Sequence, residues 1–281
     1  MASQVEPKGD FVTANGLRIH YLDWPSPSAK APVLVALHGS GGEAHRWDFL
    51  ARHLQPDYRL VALDLRGHGD SDKPAIGYAP ADFAADIAAF VKAVGIPRFT
   101  IIGHSLGSRI GVAFAALYPQ GLERLILVDP TFDTPPEVFA NQIKSWEATP
   151  YTFDNWDAAF RFFRTNPLSH RYSDESIVHA MDHGMVQLPD GRWQFRYSKQ
   201  AVLEGLRHIP DDLWPYGEKV ACPTLIVKGA ESDRITPEGA KRMLSTINQS
   251  EMVAIPAAGH SIPLDNPAGF NKAVGDWLDR G

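Results

Sequence analysis

The sequence predicts an α/β protein: a mostly parallel, doubly wound sheet carrying an inserted helical segment. Three observations lead there. Short apolar runs that end in glycine or a polar residue, "VLVALHG", "RLVALDLRGHG" and "FTIIGHS", recur through the first half of the chain. Such runs read as strands buried on both faces, as parallel sheets require. Between them lie helix-like stretches over 44–54 and 80–94, the second with Phe83, Ile87, Phe90 and Val94 spaced three or four apart on one face. Third, the alternation stops between about Thr131 and Tyr216 and resumes afterwards. Strands alternating with helices pair in parallel through right-handed crossovers.

Taken in order, "FVTANGLRIHYLDW" reads as a hairpin turning at Asn15-Gly16, a pair that accepts positive φ. A Pro/Ser-rich loop follows, then the three apolar runs with their helices, then "LERLILVD" as another strand. From Thr131 to Tyr216 the pattern is helix-like with no clear buried strand, broken at Pro135-Pro136, Pro150, Pro167 and Pro189. Just over half of the aromatic residues fall in this segment. That excess predicts a lid over an apolar pocket. "TLIVKG", a helix near 237–247, "EMVAIP" and a helix from about Pro267 complete the pattern. The expected organisation is a core domain of residues 1–130 and 217–281, split by a helical cap over 131–216.

Composition narrows the function. At 281 residues, 44% hydrophobic and 21% charged, the chain can bury a substantial core. A net charge of −6 with no Lys/Arg run argues against a nucleic-acid or anionic-membrane surface. Cys222 is the single cysteine, so no internal disulfide forms, and it reads as a small apolar residue at the start of a strand. The segment "MASQVEPKGD" lacks the basic and apolar regions of a signal peptide, and no apolar run is long enough for a membrane helix. A cytoplasmic protein is expected. No metal cluster with convincing spacing appears, and neither "GSGG" nor "GHGDSD" follows a phosphate-loop or dinucleotide fingerprint. No metal and no cofactor are expected.

The chemistry gathers at strand ends, where ligands of parallel sheets sit. In "TIIGHSLGSRIG", Gly103 and Gly107 flank Ser105 in a G-x-S-x-G pattern, which sets a serine on a strained bend between strand and helix. His38-Gly39-Ser40, Asp129, Asp233 and His260 stand at or just beyond four other strand ends. Ser, Asp and His follow one another in the chain order of the α/β hydrolases.

With "HG", "DLRGHGDSD", "GHSLG", an acid loop "GAESDRITP" and a terminal "GH" in place, the chain resembles the α/β-hydrolase superfamily over nearly its whole length. The resemblance implies the α/β-hydrolase fold with a helical cap. It implies Ser105 as nucleophile, His260 as base, and the backbone N–H groups of Ser40 and Leu106 as the oxyanion hole. Asp233, in the family's usual acid loop, is the expected partner of His260, with Asp129 the alternative and Glu231 a weaker neighbour. His38 and His104 read as structural neighbours of the site, and His68 as a residue that stabilises its loop.

A serine nucleophile points to attack on a carbonyl. The expected activity is hydrolysis of a carboxylic ester or lactone of a small molecule through an acyl-enzyme. A carbon-carbon or amide bond hydrolase with the same triad, a hydroxynitrile lyase, and a slow-turnover ligand receptor are the alternatives. Arg161, Arg164, Arg171, Arg192 and Arg196 in the cap are offered as partners for a substrate carboxylate, each with surface solvation as its plainer explanation; Arg109, behind the nucleophile, stays unassigned. The oligomeric state is left open.

Overall fold

The structure is a computed structural model that describes residues 6–132, 136–209 and 211–280. The expected break at Pro135 and the start of the N-terminal segment fall outside the described residues. The chain begins with the hairpin β1 (Lys8–Ala14) and β2 (Leu17–Trp24), which turns at Asn15-Gly16, both with positive φ. There follow β3 (Val33–Leu37), α1 (Asp48–Leu54), β4 (Arg59–Leu63), α2 (Pro80–Ala93), β5 (Phe99–His104), α3 (Leu106–Leu117) and β6 (Leu122–Val128). A second stretch comprises α4 (Pro136–Ala148), β7 (Thr152–Phe153), α5 (Trp156–Thr165), α6 (Asp174–Gly184), β8 (Met185–Gln187), β9 (Trp193–Phe195) and α7 (Lys199–Arg207). The chain closes with α8 (Trp214–Gly217), β10 (Thr224–Gly229), α9 (Pro237–Thr246), β11 (Ser250–Ile255), α10 (Ile262–Asp265) and α11 (Pro267–Leu278).

Eight strands form one sheet in the order β1-β2-β4-β3-β5-β6-β10-β11. The β1–β2 and β2–β4 pairs run antiparallel and the remaining pairs run parallel. The expected doubly wound sheet is therefore present. Its strands alternate between two cores: Val35, Leu37, Ile101, Leu125 and Leu127 face one, with α2 and α3, while Leu34, Ala36, Ile102, Ile126 and Val128 face the other, with α1 and α11. Each such side chain is almost wholly buried, a gain of about 1.5–3 kcal/mol over exposure for each Val, Leu and Ile and less for Ala36.

The stretch between β6 and β10 has its own core, in which Phe153, Phe163, Tyr172, Met181, Met185, Phe195 and Tyr197 pack together. Contrary to the expectation of helices alone, it contains a three-stranded antiparallel sheet in the order β7-β9-β8. Pro189 sits in the turn between two of these strands rather than between helices. Leu213 and Trp214, placed in the cap by the sequence, pack in the main core instead.

One expected helix divides. Residues 44–54 form a 3-10 turn, Ala44–Trp47, followed by α1. The Glu43 carboxylate accepts the His45 N–H and Asp64 Oδ1 accepts the Ala44 N–H, which pins this entry against the sheet. No helix among the described residues is long and apolar enough to cross a membrane. Cys222 is half-buried against the main core, where burial pushes its thiol up to about 11.

Candidate active site

Ser105 joins β5 to α3 with φ 52° and ψ −108°. A non-glycine residue there costs on the order of 1–3 kcal/mol and persists only where its surroundings enforce it. Here they do: Ser105 N–H donates to Val128 O at 2.9 Å, and Ser108 Oγ donates to Gly103 O at 2.6 Å. The flanking glycines serve close approach rather than positive φ. A Cβ on Gly103 would lie 2.1 Å from Gly107 O, and one on Gly107 would lie 2.1 Å from Leu37 O.

The strained bend lifts the Ser105 hydroxyl to the carboxyl ends of β5 and β6. His260 Nε2 lies 2.9 Å from Ser105 Oγ, and His260 Nδ1 lies 2.7 Å from Asp129 Oδ2. With Nδ1–H donating to a carboxylate, Nε2 is left as an acceptor for the serine proton. Asp129 is fully buried, and its carboxylate also accepts the Ser232 hydroxyl at 2.5 Å and the Gly229 N–H at 3.2 Å. A buried carboxylate so supplied with donors is held in one orientation.

The expected pairing of Asp233 with His260 is corrected by this geometry. Asp233 has a side chain 84% exposed and faces Arg234 at 3.6 Å, while the weaker neighbour Glu231 pairs with Arg171. Asp129 and Asp233 both follow strand ends, on the adjacent β6 and β10. Asp129 adopts φ 48°, an upturn that turns its carboxylate under His260.

The loop His38-Gly39-Ser40 runs beside the serine, so closely that a Cβ on Gly39 would stand 3.3 Å from Ser105 Cβ. Two histidines hold this loop. His38 donates from Nδ1 to Gly39 O at 2.7 Å and accepts the Leu65 N–H at Nε2 at 3.1 Å. His68 donates from Nδ1 to Arg66 O at 3.0 Å and accepts the Gly41 N–H at 3.1 Å. Each uses one nitrogen as donor and one as acceptor, which requires the neutral ring. Burial pushes His38 down to about 3 and His68 down to about 4. His104, pushed well down by burial and then by His260, donates from Nε2 to the His260 carbonyl at 2.8 Å. It fixes the backbone of the histidine that faces the serine.

Of the arginines singled out in the sequence, Arg164, Arg171, Arg192 and Arg196 pair with Asp174, Glu231, Asp190 and Asp70. Arg109 is a strut, donating to the carbonyls of Thr131, His208 and Asp211. None of these, nor Arg161, lines the main cavity over Ser105. Arg46 does, together with Trp146, Phe162, Tyr172, Phe195 and Tyr197. Sequence reasoning missed it, because an arginine in a turn ahead of a helix carries no signal of its own.

Two clusters bring metal-ligand types together among the described residues. His45, Asp48 and His183 meet, but the two rings stack at 3.7 Å and 17°. Parallel rings direct their in-plane lone pairs alongside one another rather than onto a common point. His20, Asp64 and Asp70 meet as well. Asp64 there already accepts the Ala44 and Asp70 N–H groups and faces His20 at 2.8 Å.

The pattern of the alpha/beta hydrolase fold family matches residues 32–267. The chain belongs to the alpha/beta hydrolase fold family. This α/β hydrolase is 29% identical over 278 residues to N-formylmaleamate deformylase of Pseudomonas putida, covering 96% of each chain. It is 28% identical over 255 residues to 2-(acetamidomethylene)succinate hydrolase of Mesorhizobium japonicum, covering 88% of each. A crystal structure of E-2-(acetamidomethylene)succinate hydrolase superposes with a TM-score of 0.90 at 24% identity, covering 97% of this chain and 99% of that one. Both curated relatives are named for small-molecule hydrolysis.

Proposed function

We propose that this α/β hydrolase is a serine hydrolase that cleaves a small-molecule carbonyl compound through an acyl-enzyme on Ser105. The observation that carries the reading is the unbroken line Ser105 Oγ, His260, Asp129, with contacts of 2.9 and 2.7 Å. His260 takes the serine proton as Oγ attacks the carbonyl carbon, and Asp129 stabilises the imidazolium that results. The N–H groups of Ser40 and Leu106 receive the oxyanion, each worth about 2.7–4 kcal/mol in comparable sites. Collapse expels the leaving group with the proton from His260. Water, deprotonated by the same histidine, then releases the acid and restores Ser105. Residues 131–216 act as the cap, whose aromatic wall excludes water and selects the acyl group.

An ester or lactone is the substrate bond this reading favours. The two relatives supply a specific second reading: N-formyl and acetamido groups appear in the substrates they are named for. An amide uses the same steps, with His260 protonating a nitrogen leaving group.

Intact-mass analysis after a fluorophosphonate probe, with Ser105→Ala alongside, tests the nucleophile. A single adduct on the native protein and none on the variant is expected; an adduct that persists on Ser105→Ala would remove Ser105 from the role. Turnover of matched p-nitrophenyl esters and N-acyl amides then separates the two bond types.

A further inference from the structure

The cavity over Ser105 is walled by one arginine and, among the described residues, by no lysine, aspartate or glutamate. That arginine, Arg46, lies on the 3-10 turn just beyond the Gly39–Gly42 loop. Its side chain is half-buried, and the one hydrogen bond it makes among the described residues runs from Nη1 to Tyr172 Oη at 3.1 Å. Four of the five arginines expected to meet substrate are spent on carboxylates of their own. Arg46 has no such partner among the described residues.

The surroundings offer it little opposing charge. Burial pushes the Glu43 carboxyl up to about 7 against the opposing pull of Arg46, so near neutral pH that acid carries only part of a charge. Burial first, with the field of Arg46 among the further causes, keeps His38, His104 and His179 low and neutral. A guanidinium withdrawn from water without a carboxylate is costly until an anion reaches it.

Tyr172 adds a second donor. Its hydroxyl oxygen accepts from Arg46, so its own proton is directed elsewhere, and its ring lines the same cavity. Arg46 comes from the core and Tyr172 from the segment between α5 and α6. Their hydrogen bond joins these two parts of the chain at the cavity.

In a smaller recess that also reaches Ser105, two more arginines contribute to the wall, Arg109 and Arg234. Arg109 is spent on three carbonyls, and Arg234 donates to Gln142 Oε1 beside Asp233.

We propose that Arg46 and Tyr172 form a carboxylate subsite, so that the substrate is a carbonyl compound bearing a free carboxylate, such as a half-ester or half-amide of a short dicarboxylic acid. The subsite rests on the reading of Ser105 as nucleophile, because it orients the substrate carbonyl toward that residue. Bidentate or paired donors on a carboxylate give orientation as well as affinity.

The test has a kinetic and a binding arm. In the first, kcat/KM is compared for the p-nitrophenyl half-ester of succinate and for p-nitrophenyl butyrate, which lacks the carboxylate. The native protein is expected to favour the half-ester, and Arg46→Met to cut that preference by at least about tenfold. Tyr172→Phe, which removes only the hydroxyl, cuts it less. In the second, monomethyl and dimethyl succinate are titrated by calorimetry into Ser105→Ala protein, where no turnover is needed. Monomethyl succinate is expected to bind tighter, and Arg46→Met placed on Ser105→Ala to abolish the difference.

Equal binding of the two succinates, or a preference that survives Arg46→Met but falls with Arg234→Gln, overturns the subsite. Ser105-dependent turnover of butyrate without preference for the half-ester overturns it too, while leaving the nucleophile assignment standing. Selective binding without turnover of any ester keeps the subsite and removes the ester reading instead.

Discussion

Below the Ser105 hydroxyl, the cavity wall is made of strand ends; above it, the wall is made of packed rings. In the floor, His38, His68, His104, Asp129 and His260 each use their polar atoms in hydrogen bonds of 2.5–3.2 Å to neighbours within the core. In the roof, Phe153, Phe162, Phe163, Phe195 and Tyr197 pack with ring centroids about 5–6 Å apart. The difference teaches a division of labour. Hydrogen bonds of the floor fix atoms to within a few tenths of an ångström, as proton transfer demands. Ring packing in the roof is less directional, which suits the selecting role proposed for residues 131–216.

The comparison breaks first at Ser105. If the floor carries the chemistry, Ser105→Ala lowers kcat by about a millionfold, as in other triads, while circular dichroism stays unchanged; a modest loss in steady-state turnover would move the reaction elsewhere.

Acid should strike the floor next. In the unfolded chain a histidine takes up its proton near 6.5; in the folded one His38 resists to about 3 and His68 to about 4. The unfolded state therefore binds more protons below 6.5, so the stability these residues contribute is full above that pH and lost as pH falls. Each forfeits up to about 2 kcal/mol between pH 6.5 and 5. Glu43, pushed up to about 7, acts in the opposite sense and offsets about one of them. Urea midpoints at pH 7 and 5 are expected to fall with acid, and a midpoint that holds or rises would contradict neutral histidines in the floor.

Gly103→Ala sharpens the contrast through sterics alone. Its Cβ would meet Gly107 O at 2.1 Å, so a loss of at least about 1–3 kcal/mol in chemical denaturation is expected. A variant as stable as the native protein would show that the bend can relax.

The smallest effect belongs to the surface between floor and roof. Arg196 and Asp70 form a half-exposed ion pair, and Arg196→Gln should cost no more than about 1 kcal/mol, less at high salt. A loss of several kcal/mol in urea unfolding would mean the roof is held by charge rather than by its rings.

Much of the floor was legible in the sequence, because apolar runs ending in Gly or His have few other uses. "TIIGHSLG" announces both the strand and the bend of Ser105. Which acid meets His260 was not legible. Asp129 and Asp233 each follow a strand end on neighbouring parallel strands, and the choice depends on the φ of 48° at Asp129, a backbone angle that no residue pattern encodes. The roof was less legible. Strands two or three residues long, such as Thr152–Phe153, leave no periodicity to detect. Arg46 was invisible for a related reason, since what sets it apart is that its side chain forms no ion pair among the described residues, a matter of three-dimensional placement rather than of its neighbours along the chain.

The measurement that bears most directly on this account compares Asp129→Asn with Asp233→Asn on one ester that the native protein turns over. Asparagine keeps the shape but loses the charge that orients His260, so Asp129→Asn should lower kcat by about ten-thousandfold, and Asp233→Asn should leave it near the native value. Near-normal turnover by Asp129→Asn together with a collapse in Asp233→Asn would contradict the account and return the working acid to the exposed loop after β10.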